Sequence, residues 1–451
     1  MNTELLMPQL PQNWAKTRLD CIAEIILGQS PPSSTYNDSG KGLPFYQGKL
    51  EFGKTYPTPK KFCSEPKKIA EKGDVLISVR APVGPTNISP EKSCIGRGLA
   101  AIRSLGGIET LFILYSLRAN ENVLIGKGTG TTFSAISGEQ LRSLEIPLPP
   151  LNEQHRIVGK VEELFSFLDA GVESLRKVQA QLKRYRQAVL KFAFEGKLTE
   201  DWRKMHNNEL EPSERLLERI IQKKREAEQG KSIESRHEKS TILKQIPNLW
   251  AYVRLGDIIS VHSGEGLTKR QMAKTGKYPV YGGNGISGYH SEFLFEDSKL
   301  IIGRVGAKCG VVHITSPKSW VTDNALVVDF WENDIKFLYY AFGELDFNRF
   351  SVSTAQPVIS STKIYQIKFK LPPFREQKKI VEEIEYRLSV SDEIWKTIVQ
   401  SEEQSARLRQ SILKDAFRGK LVSQNPEDEP AEKLLDRIKA ERFTNKPKKD
   451  N

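Results

Sequence analysis

A heptapeptide that occurs twice determines how this chain is organised. Residues Leu148–Gln154 read LPPLNEQ, and residues Leu371–Gln377, 223 positions later, read LPPFREQ. The same offset aligns Phe194–Leu198, FEGKL, with Phe417–Leu421, FRGKL. Over the 52 positions that these repeats bracket, 21 residues are identical. A repeat of this length and identity indicates a tandem duplication.

The duplication extends to the start of the chain. Residues Pro11–Leu19 read PQNWAKTRL, and residues Pro247–Leu255 read PNLWAYVRL. We expect Trp14 and Trp250 to be core anchors rather than surface stacking residues. The predicted order is therefore globular, helical, globular, helical, with globular domains at 1–146 and 246–370, helical regions at 147–228 and 371–443, a charged linker at 229–245 and a tail at 444–451.

Each helical region carries apolar residues at alternating steps of three and four, which is the period of a coiled-coil seam. Proline pairs precede the seams, and Gly196 and Gly419 mark the ends of helices of about 40 residues. Arg186 and Arg409 interrupt the seams at equivalent places, which indicates either a device that fixes register or an imperfect helix with a solvated end. The predicted seam residues are Val158, Phe165, Leu168, Val172, Leu175 and Leu182, and then Val381, Leu388, Trp395 and Ile398.

Composition restricts the class of protein. The chain has 451 residues, 38% of them hydrophobic, and a formal net charge of +12, which favours a polyanionic partner. No apolar run is long enough to span a membrane, and no export signal is visible, so we expect a cytoplasmic protein. Four scattered cysteines do not form a disulfide framework or a zinc motif.

The sequence contains no recognisable catalytic motif. Gly126–Thr131 has the composition of a phosphate loop without its spacing, and the six histidines form no metal-binding pair. No adenine-methylase motif of the Asn-Pro-Pro-aromatic type is present. The sequence therefore predicts a protein without catalysis of its own. Two alternatives stay open, namely a single-chain nuclease or methylase with a diverged site, and a coiled-coil assembly protein without a role on DNA.

Several segments together resemble one family. Thr131–Ser137 reads TTFSAIS and runs into Ile146–Gln154, while Leu182–Leu190 reads LKRYRQAVL. Tyr281–Tyr289 reads YGGNGISGY, and Leu371–Gln377 repeats the proline motif. In this paired order the chain resembles the specificity subunit of type I restriction–modification enzymes over nearly its whole length.

The resemblance implies an α+β fold in which two mixed α/β target-recognition domains alternate with two long helical regions. The helical regions would pair as an antiparallel coiled coil with pseudo-two-fold symmetry. The resemblance also implies that each recognition domain reads one part of a bipartite site in double-stranded DNA. Two methyltransferase subunits and two ATP-dependent restriction subunits would be the partners. S-adenosylmethionine, Mg²⁺ and ATP would belong to those partners, and this chain would hold no cofactor.

Base readout requires fixed donors or acceptors on a stiff frame, so we selected polar and glycine residues in turns and glycine-rich loops. For each of them the plainer interpretation is an ordinary polar loop residue. The two domains differ at almost every selected position, which predicts a DNA target with two different halves. The predicted DNA-binding residues are Tyr46, Gln47, Lys49, Arg80, Arg97, Lys127, Thr129 and Thr131 in the first domain, and Tyr281, Gly282, Gly283, Asn284, Tyr289, Arg304, Lys308, Ser353, Thr354 and Gln356 in the second.

Overall fold

The computed structural model describes residues 10–127, 135–228, 247–306, 309–350 and 358–444. The chain forms two compact units whose limits differ from the sequence repeats. Unit 1 combines Met1–Arg176 with Val399–Asn451, and unit 2 is the continuous segment Lys177–Ile398. Each unit therefore contains one globular domain, one end of the first long helix and the opposite end of the second.

Both globular domains contain an antiparallel four-stranded sheet with the same connectivity. The two central strands of each sheet are mainly aliphatic and buried on both faces over most of their length. In unit 1 the strand order is Ala23–Leu27, Leu99–Ser104, Val75–Ser78 and Thr86–Ile88. In unit 2 it is Ile259–Ser263, Ala325–Phe330, Leu300–Gly303 and Val312–Ile314.

A second sheet in each domain contains one parallel strand pair, and here the two copies differ in size. In unit 1, Phe45 pairs with Cys94 within a five-stranded sheet, and in unit 2, Val280 pairs with Trp320 within a three-stranded sheet. The orders are Tyr36–Asn37, Lys61–Cys63, Leu43–Tyr46, Ser93–Ile95, Ile69–Ala70, and Gly285–His290, Tyr278–Gly282, Trp320–Val321.

A two-stranded ribbon closes each globular domain and leads into a long helix. Ala15–Arg18 pairs with Glu145–Leu148, and Ala251–Arg254 pairs with Lys368–Leu371. The ribbon strands extend one or two residues beyond the predicted domain boundaries at 146 and 370. The remaining elements of the domains are helices, at Leu19–Ile22, Thr110–Ala119, Glu121–Lys127, Gly138–Arg142, Leu255–Ile258, Ile335–Leu345 and Ser361–Tyr365, and 3₁₀ turns at Ser33–Thr35, Lys49–Glu51 and Phe347–Phe350.

The two long helices are Leu151–Phe194, with 44 residues, and Phe374–Ala416, with 43 residues, which confirms the prediction. Each begins directly after its proline pair. Shorter helices follow them, at Glu200–Met205 and Ser213–Ala227 after the first, and at Ala431–Thr444 after the second.

The long helices pair antiparallel in each unit. In unit 1, Asp169 forms an ion pair with Arg409, whose guanidinium also lies 4.9 Å from the centre of the Phe165 ring. In unit 2, Asp392 forms an ion pair with Arg186. The offset of 223 residues converts one pair into the other, so the interrupted seam positions carry the same ion pair twice. This arrangement agrees with the register-fixing interpretation of the polar seam residues.

Five of the ten predicted seam residues are buried and five are partly exposed. Val158, Phe165 and Leu182 are at most 9% exposed, as are Val381 and Ile398. Leu168, Val172, Leu175, Leu388 and Trp395 are partly exposed. Two helices alone cover one stripe of each other, so seam residues without a third packed element keep part of their surface in water.

The short terminal helices complete the core of each unit. In unit 1, Leu434 and Ile438 are buried in the same cluster as Phe417 and the ends of the long helices. In unit 2, Leu216 and Ile220 occupy the corresponding cluster. A basic side chain anchors each helix in the same way, because Arg442 donates to the carbonyl of Ala23 at 3.2 Å and Lys224 donates to that of Ile259 at 2.8 Å.

A buried tryptophan–glutamate bond joins the start of each globular domain to the start of a long helix. Trp14 Nε1 donates to Glu153 Oε2 at 3.0 Å, and Trp250 Nε1 donates to Glu376 Oε2 at 2.8 Å. All four side chains are at most 6% exposed. The tryptophans are thus core anchors, and the glutamate of each repeated heptapeptide binds the tryptophan of the repeated amino-terminal motif.

In each unit, the carboxy-terminal end of the other long helix packs next to the start of the same globular domain. Gly419 and Gly196 have φ of +67° and +72°, the left-handed conformation of a helix cap. A Cβ atom at Gly419 would overlap the ring of Pro11, and one at Gly196 would overlap the ring of Pro247. Three repeated motifs therefore meet at one point in each unit, which we call the motif junction.

The two motif junctions differ in how the buried carboxylate is satisfied. In unit 2, Glu376 accepts from Thr199 Oγ1 at 2.6 Å and from Arg203 Nε at 2.9 Å, so its charge is paired. In unit 1, Glu153 accepts from the neutral amide of Gln424 at 2.7 Å. Burial raises the pKa of Glu153, although the hydrogen bonds from Trp14 and Gln424 favour its charged form and lower the pKa.

We predict that Glu376→Ala lowers the free energy of unfolding by about 3–5 kcal/mol, because it leaves a buried arginine and a buried indole N–H without their acceptor. Glu382→Ala on the same helix is the control, since this carboxylate is 67% exposed and a surface change costs about 0.5 kcal/mol or less. Urea unfolding of the full chain measures both. Equal stabilities for the two variants would show that the junction is not a major source of stability.

We also predict that residues 1–228 expressed alone form a dimer. This fragment lacks Phe417, Leu434 and Ile438, which fill the core of unit 1. Its own Phe194, Leu216 and Ile220 occupy the corresponding places in unit 2, so a second copy can supply them. Sedimentation measures the association. A folded fragment that stays monomeric at all concentrations would contradict the prediction.

Candidate nucleic-acid interface

At one edge of the first globular domain, four backbone segments end side by side. Gly28 N donates to Leu99 O at 2.9 Å, and Gln29 N donates to Ile95 O at 3.0 Å. The turn between the strands Ser93–Ile95 and Leu99–Ser104 is Gly96-Arg97-Gly98. This turn is the centre of the edge.

Two further bonds attach neighbouring segments to that turn. Gly96 N donates to Tyr46 O at 2.8 Å, and Val79 N donates to Gly98 O at 2.9 Å. A Cβ atom at Gly98 would overlap the carbonyl oxygen of Gln47, so the close approach requires glycine. The side chains that the network brings to this edge form the first rim, which consists of Gln29, Gln47, Lys49, Arg80 and Arg97.

The second globular domain has the same backbone network. Gly264 N donates to Ala325 O, Glu265 N donates to Val321 O at 3.0 Å, and Thr322 N donates to Tyr281 O at 2.8 Å. Arg304 N donates to Asn324 O at 2.9 Å, as Val79 N does to Gly98 O. We call the residues along this edge the second rim, which consists of Glu265, Gly282, Asn284, Arg304 and Asp323.

The structure brings four of the eight residues predicted for the first domain to the first rim. Gln47, Lys49, Arg80 and Arg97 are exposed. Lys127 is exposed at the end of its helix, and its carbonyl accepts from Gln140 Nε2 at 2.9 Å. Ala135, shortly before the helix of Gln140, forms a bridge with Arg80, which lies in the first rim.

Tyr46 requires a correction. Its side chain is completely buried, and its hydroxyl has no hydrogen-bond partner among the described residues. Burial raises the pKa of Tyr46 to about 12. Alternation along its strand places Tyr46 in one core cluster and Phe45 in another, so Tyr46 contributes its backbone carbonyl to the network and its side chain is not available to a ligand.

In the second domain the predicted residues divide into two groups. Asn284 is exposed and Arg304 is half-buried, with its Nη1 donating to Ser263 Oγ at 3.3 Å. Tyr281 is 8% exposed, so its prediction as a side-chain contact also requires correction. Like Tyr46, it contributes its backbone carbonyl to the network. Tyr289 pairs with Pro279, at the end of the hairpin away from Asn284, so the structure does not bring it to the second rim.

Two glycines of this domain hold the backbone close. A Cβ atom at Gly283 would lie 2.8 Å from the carbonyl oxygen of Asn324, and one at Gly282 would lie 2.8 Å from Ser287 Oγ. Gly283 therefore allows a close approach of two backbone segments, and Gly282 leaves space for the side chain of Ser287. The other predicted residues, Thr129, Thr131, Lys308, Ser353, Thr354 and Gln356, lie outside the described residues.

Three rim residues were missed from the sequence, namely Gln29, Glu265 and Asp323. Asp323 lies in a Thr-Asp-Asn turn between two apolar strands, and such turn residues were the available signal. A carboxylate was not expected at a surface that binds a polyanion. The backbone network also shows that Arg304 is equivalent to Val79 and not to Arg80.

The two rims present different chemistry on the same frame. The first rim contains three basic and two amide side chains, which supply hydrogen-bond donors and positive charge. The second contains two carboxylates, one amide and one arginine, which supply mostly acceptors. Fixed donors and acceptors on a rigid edge are what the readout of base edges requires.

Two duplicated mixed domains with unlike polar edges, joined to paired long helices, define a class of protein that reads DNA sequence with separate modules. The family model described as the type I restriction modification DNA specificity domain matches residues 11–184 and 247–400. The chain belongs to this family. Its role is therefore DNA recognition within a restriction–modification system, without catalysis, and a diverged nuclease or methylase is not supported.

Named relatives agree with this assignment. The putative type I restriction enzyme MjaX specificity subunit of Methanocaldococcus jannaschii is 40% identical over 193 residues, which are 42% of this chain and 44% of that protein. The type I restriction enzyme EcoKI specificity subunit of Escherichia coli strain K12 is 26% identical over an alignment that covers 98% of both chains.

A solved structure from work on complex assembly and conformational transition of the type I R-M system has a TM-score of 0.64. It is 20% identical and covers 92% of this chain and 100% of that one, so the likeness concerns the fold.

Among the residues that the structure describes, none of the helices has both the length and the apolar composition of a membrane span.

Proposed function

We propose that each globular domain reads one half of an asymmetric bipartite site in double-stranded DNA through its rim. The observation that carries the proposal is the pair of equivalent rims, which have one backbone network and different side chains. A common frame gives both domains the same docking geometry. Different side chains give each domain its own bases, so the two half-sites differ.

The long helices supply the surface for partner subunits in this proposal. Phe167 and Tyr185 lie 18 residues apart on the first helix, which is five turns, and are 69% and 45% exposed. Val390 and Leu408 are their repeat equivalents on the second helix, and are 47% and 44% exposed. Exposed apolar residues at repeated positions fit two copies of one partner.

We assign these positions to two methyltransferase subunits, through which two restriction subunits join. Those subunits carry S-adenosylmethionine, ATP and Mg²⁺, and this chain contributes recognition and spacing. The family assignment and the duplicated surface support this arrangement. The complex acts in the cytoplasm, where it meets DNA.

We predict that Gln47→Ala and Asn284→Ala each relax one half-site and leave the other unchanged. Both are exposed amides, and an amide that contacts an adenine contributes about 1–3 kcal/mol of discrimination. Sequencing of methylated adenines, in DNA modified by the chain with its methyltransferase, measures the preference. A methylation site that is a perfect palindrome, or a variant that alters both halves, would contradict the proposal.

We further predict that Tyr185→Glu combined with Leu408→Glu weakens methyltransferase binding by at least tenfold, because each change places a charge on an apolar contact. Glu173→Gln and Glu403→Gln together are the control, since both are exposed on the same helices. Titration calorimetry with the methyltransferase measures the affinity. Unchanged affinity with an intact helical spectrum would exclude this face as the contact.

A further inference from the structure

The turn at the centre of each rim carries opposite charges in the two domains. Gly96-Arg97-Gly98 and Thr322-Asp323-Asn324 occupy the same place in the backbone network. The first residue of each turn donates to a tyrosine carbonyl at 2.8 Å, and the last residue accepts from the strand beside it at 2.9 Å. Arg97 and Asp323 are therefore equivalent residues at the two turn centres.

Both side chains are exposed and available for a ligand. The Arg97 guanidinium has no carboxylate within ion-pair distance among the described residues, although its backbone N–H donates to Ser30 Oγ at 3.2 Å. Over the same ranges, the Asp323 carboxylate has no cationic group within that distance and accepts only a long bond, 3.4 Å, from Asn324 Nδ2.

The neighbouring position strengthens the contrast. Gln29 and Glu265 are equivalent, because each donates its backbone N–H at 3.0 Å to the last residue of the strand before the turn. Beside its central residue, the first rim thus has a neutral amide and the second has a further carboxylate. Unpaired carboxylates facing DNA are repelled by phosphate, so their presence favours contact with base amino groups.

We propose that the two turns read complementary hydrogen-bond patterns in the major groove. Arg97 selects a base with two acceptors, which is guanine with its N7 and O6. Asp323 selects a base with an exocyclic amino group, which is cytosine or adenine. This inference rests on the proposed function and adds to it the kind of base that each turn reads.

The experiment determines the methylated sequence with a randomised DNA library, for the full chain in complex with its methyltransferase. Arg97→Gln is expected to reduce the preference for guanine at one position of the first half-site by about 5- to 150-fold. Asp323→Asn is expected to change one position of the second half-site. If the wild-type chain selects cytosine there, the variant should shift toward adenine, and if it selects adenine, the selection should become weaker. In both variants the other half-site is expected to stay the same.

Lys92→Ala and Glu296→Ala are the matched controls, because both residues are exposed. Lys92 directly precedes the strand that leads into the first turn, and Glu296 forms an ion pair with Lys318, shortly before the strand that leads into the second. Both controls should keep the wild-type sequence. If Arg97→Gln weakens all sites uniformly and reduces the salt dependence of binding, Arg97 contacts phosphate and the inference is overturned. An unchanged second half-site in Asp323→Asn overturns it equally.

The wild-type complex separates this inference from the proposed function. If it methylates a site with two different halves and the variants change nothing, only the assignment of the turns fails. If it shows no bipartite preference, the proposed function itself fails.

Discussion

The rest of the structure depends on the hydrogen bond between a buried indole N–H and a buried carboxylate, Trp14 to Glu153 and Trp250 to Glu376. A buried carboxylate is costly unless it is bonded, so these acceptors require their donors. The bond attaches each globular domain to the first turn of a long helix. The capping glycine of the other helix packs at the same point and can do so only when the helices run in opposite directions.

The antiparallel direction alone does not fix the register of the long helices. The ion pairs of Arg186 with Asp392 and of Arg409 with Asp169 do so. Purely apolar seams with a heptad period can slide by whole heptads, whereas a charge on each helix at a single level opposes sliding. Because these side chains are partly exposed, their contribution to stability is modest. Their role in alignment is the stronger interpretation, since any error of register would separate both pairs together.

The helical half of the fold was predictable because its signals are local. Periodicity, proline pairs and the glycines at the ends determine where Leu151–Phe194 and Phe374–Ala416 begin and end. The candidate interface was only partly predictable, because a rim is assembled by strands distant in sequence. Tyr46 is next to Gln47 in the chain and yet points into the core, because side chains alternate between the two faces of a strand. Asp323 was overlooked because its role depends on a correspondence with Arg97 that only the backbone network reveals.

The composition of unit 1 also determines the order in which the molecule can be completed during synthesis. Unit 2 is continuous in sequence, but the core of unit 1 needs Leu434 and Ile438, and its carboxy-terminal helix contacts Ala23 across 419 residues. At roughly 5–20 residues per second, the first domain waits on the order of ten to fifty seconds for these residues. The domain that is synthesised first is therefore completed last, and until then part of its apolar core is uncovered.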